Sequence, residues 1–239
     1  MPKGFDGVRR TSAEIEQRKN SGGSSQGSLW FRLQPGQETV VRFLEQDDDI
    51  HWAHMHEVPQ EGRSWGRDVP CLDQDRDGTP CPGCERDLPR KFKGYINVIW
   101  DDAPVFKRGE DGRILKDQYD KVIVVGNKPQ PAIWSSGIRL FENLDEINAN
   151  YRGLRSRRFK VKRKGEKLNT TYVVTPENVD EGAQDFSAEE LEMQENKYDL
   201  SVYVKPPTYE EFMAELGQGG HQQNYNGGEQ RQVNPFLRS

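Results

Sequence analysis

Long apolar runs are missing from this chain, and so is a strong excess of one charge. Mean hydropathy is −0.96, and no stretch approaches the roughly 20 apolar residues that a membrane helix needs. The opening Met-Pro-Lys-Gly-Phe-Asp lacks the apolar core of a secretory signal, so a soluble intracellular protein is expected. Cysteine is scarce: 3 in 239 residues, an odd count that cannot be fully paired and is not expected to form disulfides inside a cell. No paired carboxylates, Ser/His/Asp set or Gly-rich phosphate loop stands at an interpretable spacing, which argues against an enzyme. The formal net charge of −5 would by itself argue against a polyanionic partner.

What is present is segregated. Between Arg152 and Lys167 there are nine basic residues and one acidic, Glu166, whereas Glu177 to Asp199 holds nine acidic residues and one basic, Lys197. The average charge therefore hides two adjacent blocks of opposite sign. With 33% hydrophobic and 31% charged residues, part of the chain is expected to lie outside any packed core. Residues 1–28 end in a Gly/Ser-rich run and read as a flexible arm, within which Thr11-Ser-Ala-Glu14 has capping-box spacing for a short helix over 12–19.

Strand-like patterns follow at Trp30 to Leu44, as two strands around Pro35-Gly36, and at Ile50 to Val58. More appear at Tyr95 to Trp100, Val105 to Lys107 and Ile114 to Val125, with Asp111-Gly112 supplying a hairpin turn. Leu140, Phe141, Leu144, Ile147 and Tyr151 recur at spacings of three and four, which predicts one helix against the sheet. A hairpin over Arg157 to Lys164 and Leu168 to Thr175 around Gly165, and a last strand at Tyr198 to Val204, complete the β pattern. Thr208-Tyr-Glu-Glu211 begins a short helix to Leu216, and beyond Gly217 the chain is Gly, Gln and Asn. These signals predict a mostly β fold with minor α: an OB-like five-stranded barrel over 29–205 with an inserted cysteine-bearing subdomain at about 50–92, followed by a helix and low-complexity tail at 206–239.

All the cysteines fall in Cys71-x9-Cys81-Pro-Gly-Cys84, downstream of His51, His54 and His56. A close Cys81/Cys84 pair on a Pro-Gly turn lets one loop present two sulfurs to a single ion, and thiolate with imidazole is the donor set of a structural Zn2+. One zinc per chain is expected, held by Cys71, Cys81, Cys84 and His56, the histidine nearest to Cys71, with His54 as the alternative. A zinc deaminase would need a His-x-Glu that is absent near His56. Asp73, Asp75 and Asp77-Gly78 copy the start of a calcium loop, but Cys84 stands where its bidentate glutamate belongs.

Proteins that hold unpaired nucleic acid combine cations along the backbone with rings on which bases stack. Alternation in the strand from Arg158 places Arg158, Lys160, Lys162 and Lys164 on one face and Phe159 with Val161 on the other. Arg90, Lys91, Lys93 and Arg139 are further candidates for phosphate. Tyr95, Trp100, Trp134 and Tyr172 are candidate stacking platforms, with core packing as the competing role for each.

These residues together resemble the single-stranded DNA-binding, helix-destabilising proteins of T-even phages and their relatives in other tailed phages. The cysteine spacing after a histidine carries the likeness, as does Lys91-Phe-Lys-Gly-Tyr-Ile-Asn-Val98, which looks like that family's basic-aromatic strand. The resemblance spans about 29–205. It implies an OB fold with a zinc subdomain and a non-enzymatic role: coating single-stranded DNA in phage replication, recombination and repair, in the host cytoplasm. Arg9-Arg10-Thr11-Ser12 is similar to the family's arm for self-association along DNA. The acidic element that recruits replication proteins and competes with DNA would correspond to Glu177 to Glu195, here followed by a tail ending Asn234-Pro-Phe-Leu-Arg-Ser239. Two other classes remain open: a zinc-containing nucleic-acid enzyme, and a zinc-stabilised adaptor that binds a replication protein through the acidic block and the 208–216 helix.

Overall fold

A computed structural model of the chain describes residues 29–46, 49–60, 66–151, 153–166, 170–177 and 184–218. The arm with its expected helix at 12–19, Arg152, Lys167, the 178–183 part of the acidic block and the tail from 219 onward lie outside them.

Seven strands make one antiparallel sheet: β1 Glu38–Phe43, β2 His51–Val58, β3 Arg67–Pro70, β4 Arg90–Phe106, β5 Val124–Ser136, β6 Arg158–Lys164 and β7 Thr171–Pro176. Five helices accompany them: α1 Pro82–Glu85, α2 Ile138–Tyr151, α3 Ala188–Glu195, α4 Ser201–Val204 and α5 Tyr209–Gln218. The strand order is β3-β2-β4-β1-β6-β7, with β5 also on β4. The 17-residue β4 organises this arrangement, because its first part pairs with β2 (His56 opposite Arg90) and its middle with β1 (Val41 opposite Trp100). β5 pairs with β4 from Gly94 to Phe106. No ladder among the described residues closes the sheet, so the mostly β class expected from sequence is present while a closed five-stranded barrel is not.

Three local expectations give way to tertiary context. Tyr198 to Val204 is not a strand: 201–204 is helical, and Tyr203 stacks on Tyr95 with ring centroids 5.4 Å apart. Trp30 makes only an isolated parallel bridge, to Ile133. Of Ile114 to Val125, only the end joins β5, and Ile114 and Val122 make isolated bridges. The strand that sequence reading missed is the rest of β5, which contains Pro129 and Pro131. The N–H of Ile133 points away from β4 and donates to Leu29 O at 2.7 Å. By the period-two alternation, positions 129 and 131 face the same way, so the prolines remove no donor from the β4 ladder.

The main core lies on the face of β4 that carries Ile96, Val98 and Trp100, covered by Leu140, Leu144 and Ile147 of α2. Gly94 permits this close helix approach, since a Cβ there would fall 2.4 Å from the Phe141 ring. The hairpin of β6 and β7 pairs as expected, from Phe159 opposite Pro176 to Lys164 opposite Thr171. Among the described residues no helix is long and apolar enough to cross a membrane.

Candidate metal centre and nucleic-acid interface

His56, Cys71, Cys81 and Cys84 converge, with one donor atom from each lying within 4.8 Å of all the others. Three elements supply them. β2 carries His56, Cys71 directly follows β3, and α1 begins at Cys81 and brings Cys84 round by one turn, with Glu85 N donating to Cys81 O at 2.9 Å. Cys71 Sγ is 3.7 Å from Cys81 Sγ and 3.6 Å from Cys84 Sγ, and Cys84 Sγ is 3.4 Å from His56 Nε2. His56 Nδ1 lies 3.0 Å from Leu88 O, a contact that calls for a proton on Nδ1 and leaves the Nε2 lone pair aimed at the sulfurs. Gly83 makes the approach possible, because a Cβ there would sit 2.5 Å from the imidazole.

The electrostatics suit a cation. Burial pushes the Cys71 thiol up to about 12, with the neighbouring thiols adding to it, and burial likewise raises Cys84. Burial works against ionising Cys81 as well, but the surrounding backbone N–H groups outweigh it and hold that thiol below its ordinary value. Burial lowers His56 and so favours the neutral imidazole that ligates metal. Three thiols this close cannot all ionise without a compensating positive charge. The cluster is thus a buried four-donor cage that could bind one metal ion. His54, the alternative ligand, lies outside it: its backbone N–H bonds Gln74, and its ring packs edge-on against Trp52 at 5.7 Å.

A helix that the sequence placed downstream of the domain seals this cage. Phe212 of α5 is fully buried with Val58, Val69, Cys71 and Cys81, and its ring lies 6.0 Å from that of His56. Arg67 bonds Glu215 at 2.7 Å, and Tyr209 Oη donates to Glu85 at 2.7 Å. The capping box expected at Thr208 forms in both directions with Glu211. The inward face of α5 is therefore occupied by the cage and its rim.

The expected nucleic-acid residues are dispersed. Tyr95 and Trp100 are buried, Tyr95 beneath Tyr203 and Trp100 against Phe31, so neither offers a free ring face for a base. Trp134 is buried against Phe43, and half-buried Tyr172 packs edge-on upon it at 5.1 Å. Hydrophobic burial outcompetes stacking at these strand aromatics. Arg90 donates to Gln74 O, and Lys91 and Lys93 bond Asp68 at 2.7 and 2.5 Å, with Glu57 also on Lys91 at 3.0 Å. Burial works against the Lys91 ammonium, but Asp68 and Glu57 outweigh it and raise its pKa. Arg139 is exposed on α2.

On β6 the expected alternation holds: Phe159 and Val161 are buried while Lys160, Lys162 and Lys164 are exposed. Lys160 and Lys162 share a single carboxylate, Glu38, at 3.5 and 3.8 Å, and Lys164 forms no ion pair among the described residues. Arg158 differs from its neighbours. It bonds Asp101 at 3.1 Å and Glu190 of α3 at 3.0 Å. Glu190 also holds the buried Arg42 at 2.9 Å, and the Arg42 guanidinium lies 3.8 Å from the centre of the Phe186 ring. Part of the acidic block therefore packs against the Arg42/Arg158 end of the basic face, through a capping box from Ser187 to Glu190 that sequence reading did not identify.

One exposed aromatic pair was not singled out by the sequence analysis. Trp52, half exposed, stacks on Phe92 at 5.6 Å beside α2. Its signal was alternation in β2, which puts Trp52, His54 and His56 on one face, so a ligand at His56 implied a neighbouring ring surface.

No protein-family model matches the chain, and no curated protein matches its sequence.

Proposed function

We propose that this protein binds single-stranded DNA without turning it over chemically, and that it holds one structural zinc. The observation that carries the reading is the row of Lys160, Lys162 and Lys164, three outward cations that meet one carboxylate among the described residues. Such a row repels itself and opposes folding unless a polyanion is its partner; blunting of an exposed sheet edge is the competing role, but β6 is paired on both sides, with β1 and β7. The likeness to phage helix-destabilising proteins points the same way. It extends the proposal to an open OB-like architecture and to coating of single strands during phage replication, recombination and repair in the host cytoplasm. Self-association along DNA and contact with replication proteins are the partners that this role implies.

Zinc is supported by the donor chemistry and the spacing. Metal–sulfur bonds of about 2.3 Å in a tetrahedron place sulfurs roughly 3.7 to 3.8 Å apart, close to the separations of 3.6 and 3.7 Å at Cys71. Three sulfurs and one imidazole fill four positions and leave none for a catalytic water, which favours a structural role over the enzyme alternative. When bound, the ion supplies the positive charge that lets the three thiols ionise together.

Titration with oligo-dT across a salt series tests the reading. The log-log slope should lie near −0.7 per phosphate contacted, and replacing Lys160, Lys162 and Lys164 with Gln should flatten it by about 2. The same change at Lys91 and Lys93 should flatten it by less, since Asp68 already neutralises them. Salt-independent binding, or no binding, would refute the proposal.

A further inference from the structure

We infer that the groove between the Trp52–Phe92 pair and α2 is a subsite for one unpaired base carrying an exocyclic amine (cytosine, adenine or guanine) in preference to thymine. This deepens the single-strand reading and rests on it. The groove encloses about 330 Å³, within the range of small-ligand sites. Its floor is apolar: Ile50, Trp52 and Phe92 on one side, Ile138 and Phe141 on the other. Trp52 is 50% and Ile138 47% exposed, an apolar surface that water covers at a cost. The Trp52 and Phe92 rings are inclined by only 23°, so their stack presents a flat surface. A flat ring pair accepts another planar group, whereas the aliphatic anchor of a peptide favours a pocket.

The polar groups that line the groove set the choice of base. They are Glu142, Asp145 and Asn148, all from α2, and among the described residues no cationic side chain lines it. Asn148 Oδ1 already accepts from Leu154 N at 3.0 Å, so two carboxylate acceptors outweigh the one amide donor group of Asn148 in the groove. An occupant must therefore bring hydrogen-bond donors and keep its phosphate outside, where Arg139 is exposed beside Ile138 in the first turn of α2. The amines of cytosine, adenine and guanine are such donors, and carboxylates accept from the cytosine amine in known base readout. Thymine places two carbonyl oxygens around its one N–H, and these would face the carboxylates.

The full chain, titrated with dC, dA and dT oligomers of equal length and read by tryptophan fluorescence, tests this directly. Binding to dC and dA should be several-fold tighter than to dT, and the order needs no variant. Trp52→Ala should weaken dC binding about tenfold, from loss of a stacking platform. Glu142→Gln with Asp145→Asn should equalise the oligomers, because an amide both donates and accepts. If dT binds as well as dC, or Trp52→Ala binds dC like the parent, the subsite is overturned and the single-strand reading stands. If no oligomer binds at all, that reading fails first. A lysine-rich peptide that quenches Trp52 and is not displaced by dC would assign the groove to a protein partner and overturn the base subsite.

Discussion

At the β3–β2 end of the sheet, Lys91 and Lys93 meet Asp68 and Glu57 at 2.5 to 3.0 Å, while at the β6–β7 end Lys160 and Lys162 share Glu38 at 3.5 and 3.8 Å. The two stretches look alike in the sequence, as lysines alternating with apolar residues. They differ in what surrounds them. The first end has a small core around Val58, Val69 and Phe212, beside the four-donor cage and its ion pairs. The second stands on the large core beneath Phe43, Phe159 and Val161, and so tolerates surface cations that contribute nothing to its folding. Available charge is thus decided by neighbours across strands, not by the count along one.

If the cage holds zinc as proposed, removing the ion should break the comparison most sharply. A structural zinc contributes on the order of 10–16 kcal/mol of apparent binding free energy to folding. Chelation, or Cys84→Ser, is expected to abolish hydrogen-exchange protection over 66–88 and also over 209–218, because Phe212 packs on the cage. Protection in β1 and β6 should persist, and simultaneous loss at both ends would show that the two are not separable.

The opposite end has its own weak point in Glu190. Glu190→Ala leaves the buried Arg42 without its carboxylate, and breaking a buried pair in this way costs about 3–5 kcal/mol. The denaturation midpoint should fall accordingly while metal content stays at its parent value. A drop below about 1 kcal/mol would mean that the backbone carbonyls around Arg42 suffice.

Acid gives the smallest effect and touches both ends. Burial disfavours ionised Glu190, but Ser187 N–H, Arg158 and Arg42 prevail and lower its pKa; at Asp68 burial is likewise outweighed by Lys91 and Lys93. Folded values below the ordinary ones mean that this stability is present above about pH 4.5 and is lost as pH falls through the lowered values. Glu45 runs the other way. Burial raises it, despite bonds from Asn97, so its contribution is present below its ordinary value and is lost as pH rises through the folded one. Denaturant midpoints between pH 3 and 7 should therefore decline toward the acid end, and a rise there would show that Glu45 dominates.

Local chemistry alone pointed to the three cysteines of the cage, helix α2, the β6–β7 hairpin and the capping box at Thr208, because each depends on spacings within a few residues or on donor types with one common use, while the choice of His56 over His54 came from the fold. The β6 alternation belongs with them, since one buried face is enough to reveal it. Other features were settled by tertiary structure. Tyr95 and Trp100 became core instead of platforms, 201–204 became helix because Tyr203 had a ring to cover, and β5 formed through two prolines because their nitrogens face away from the ladder. Only packing joined α5 to the cage and set Trp52 beside α2, for contacts between residues far apart in the chain are written in the complementarity of surfaces, which no local pattern records.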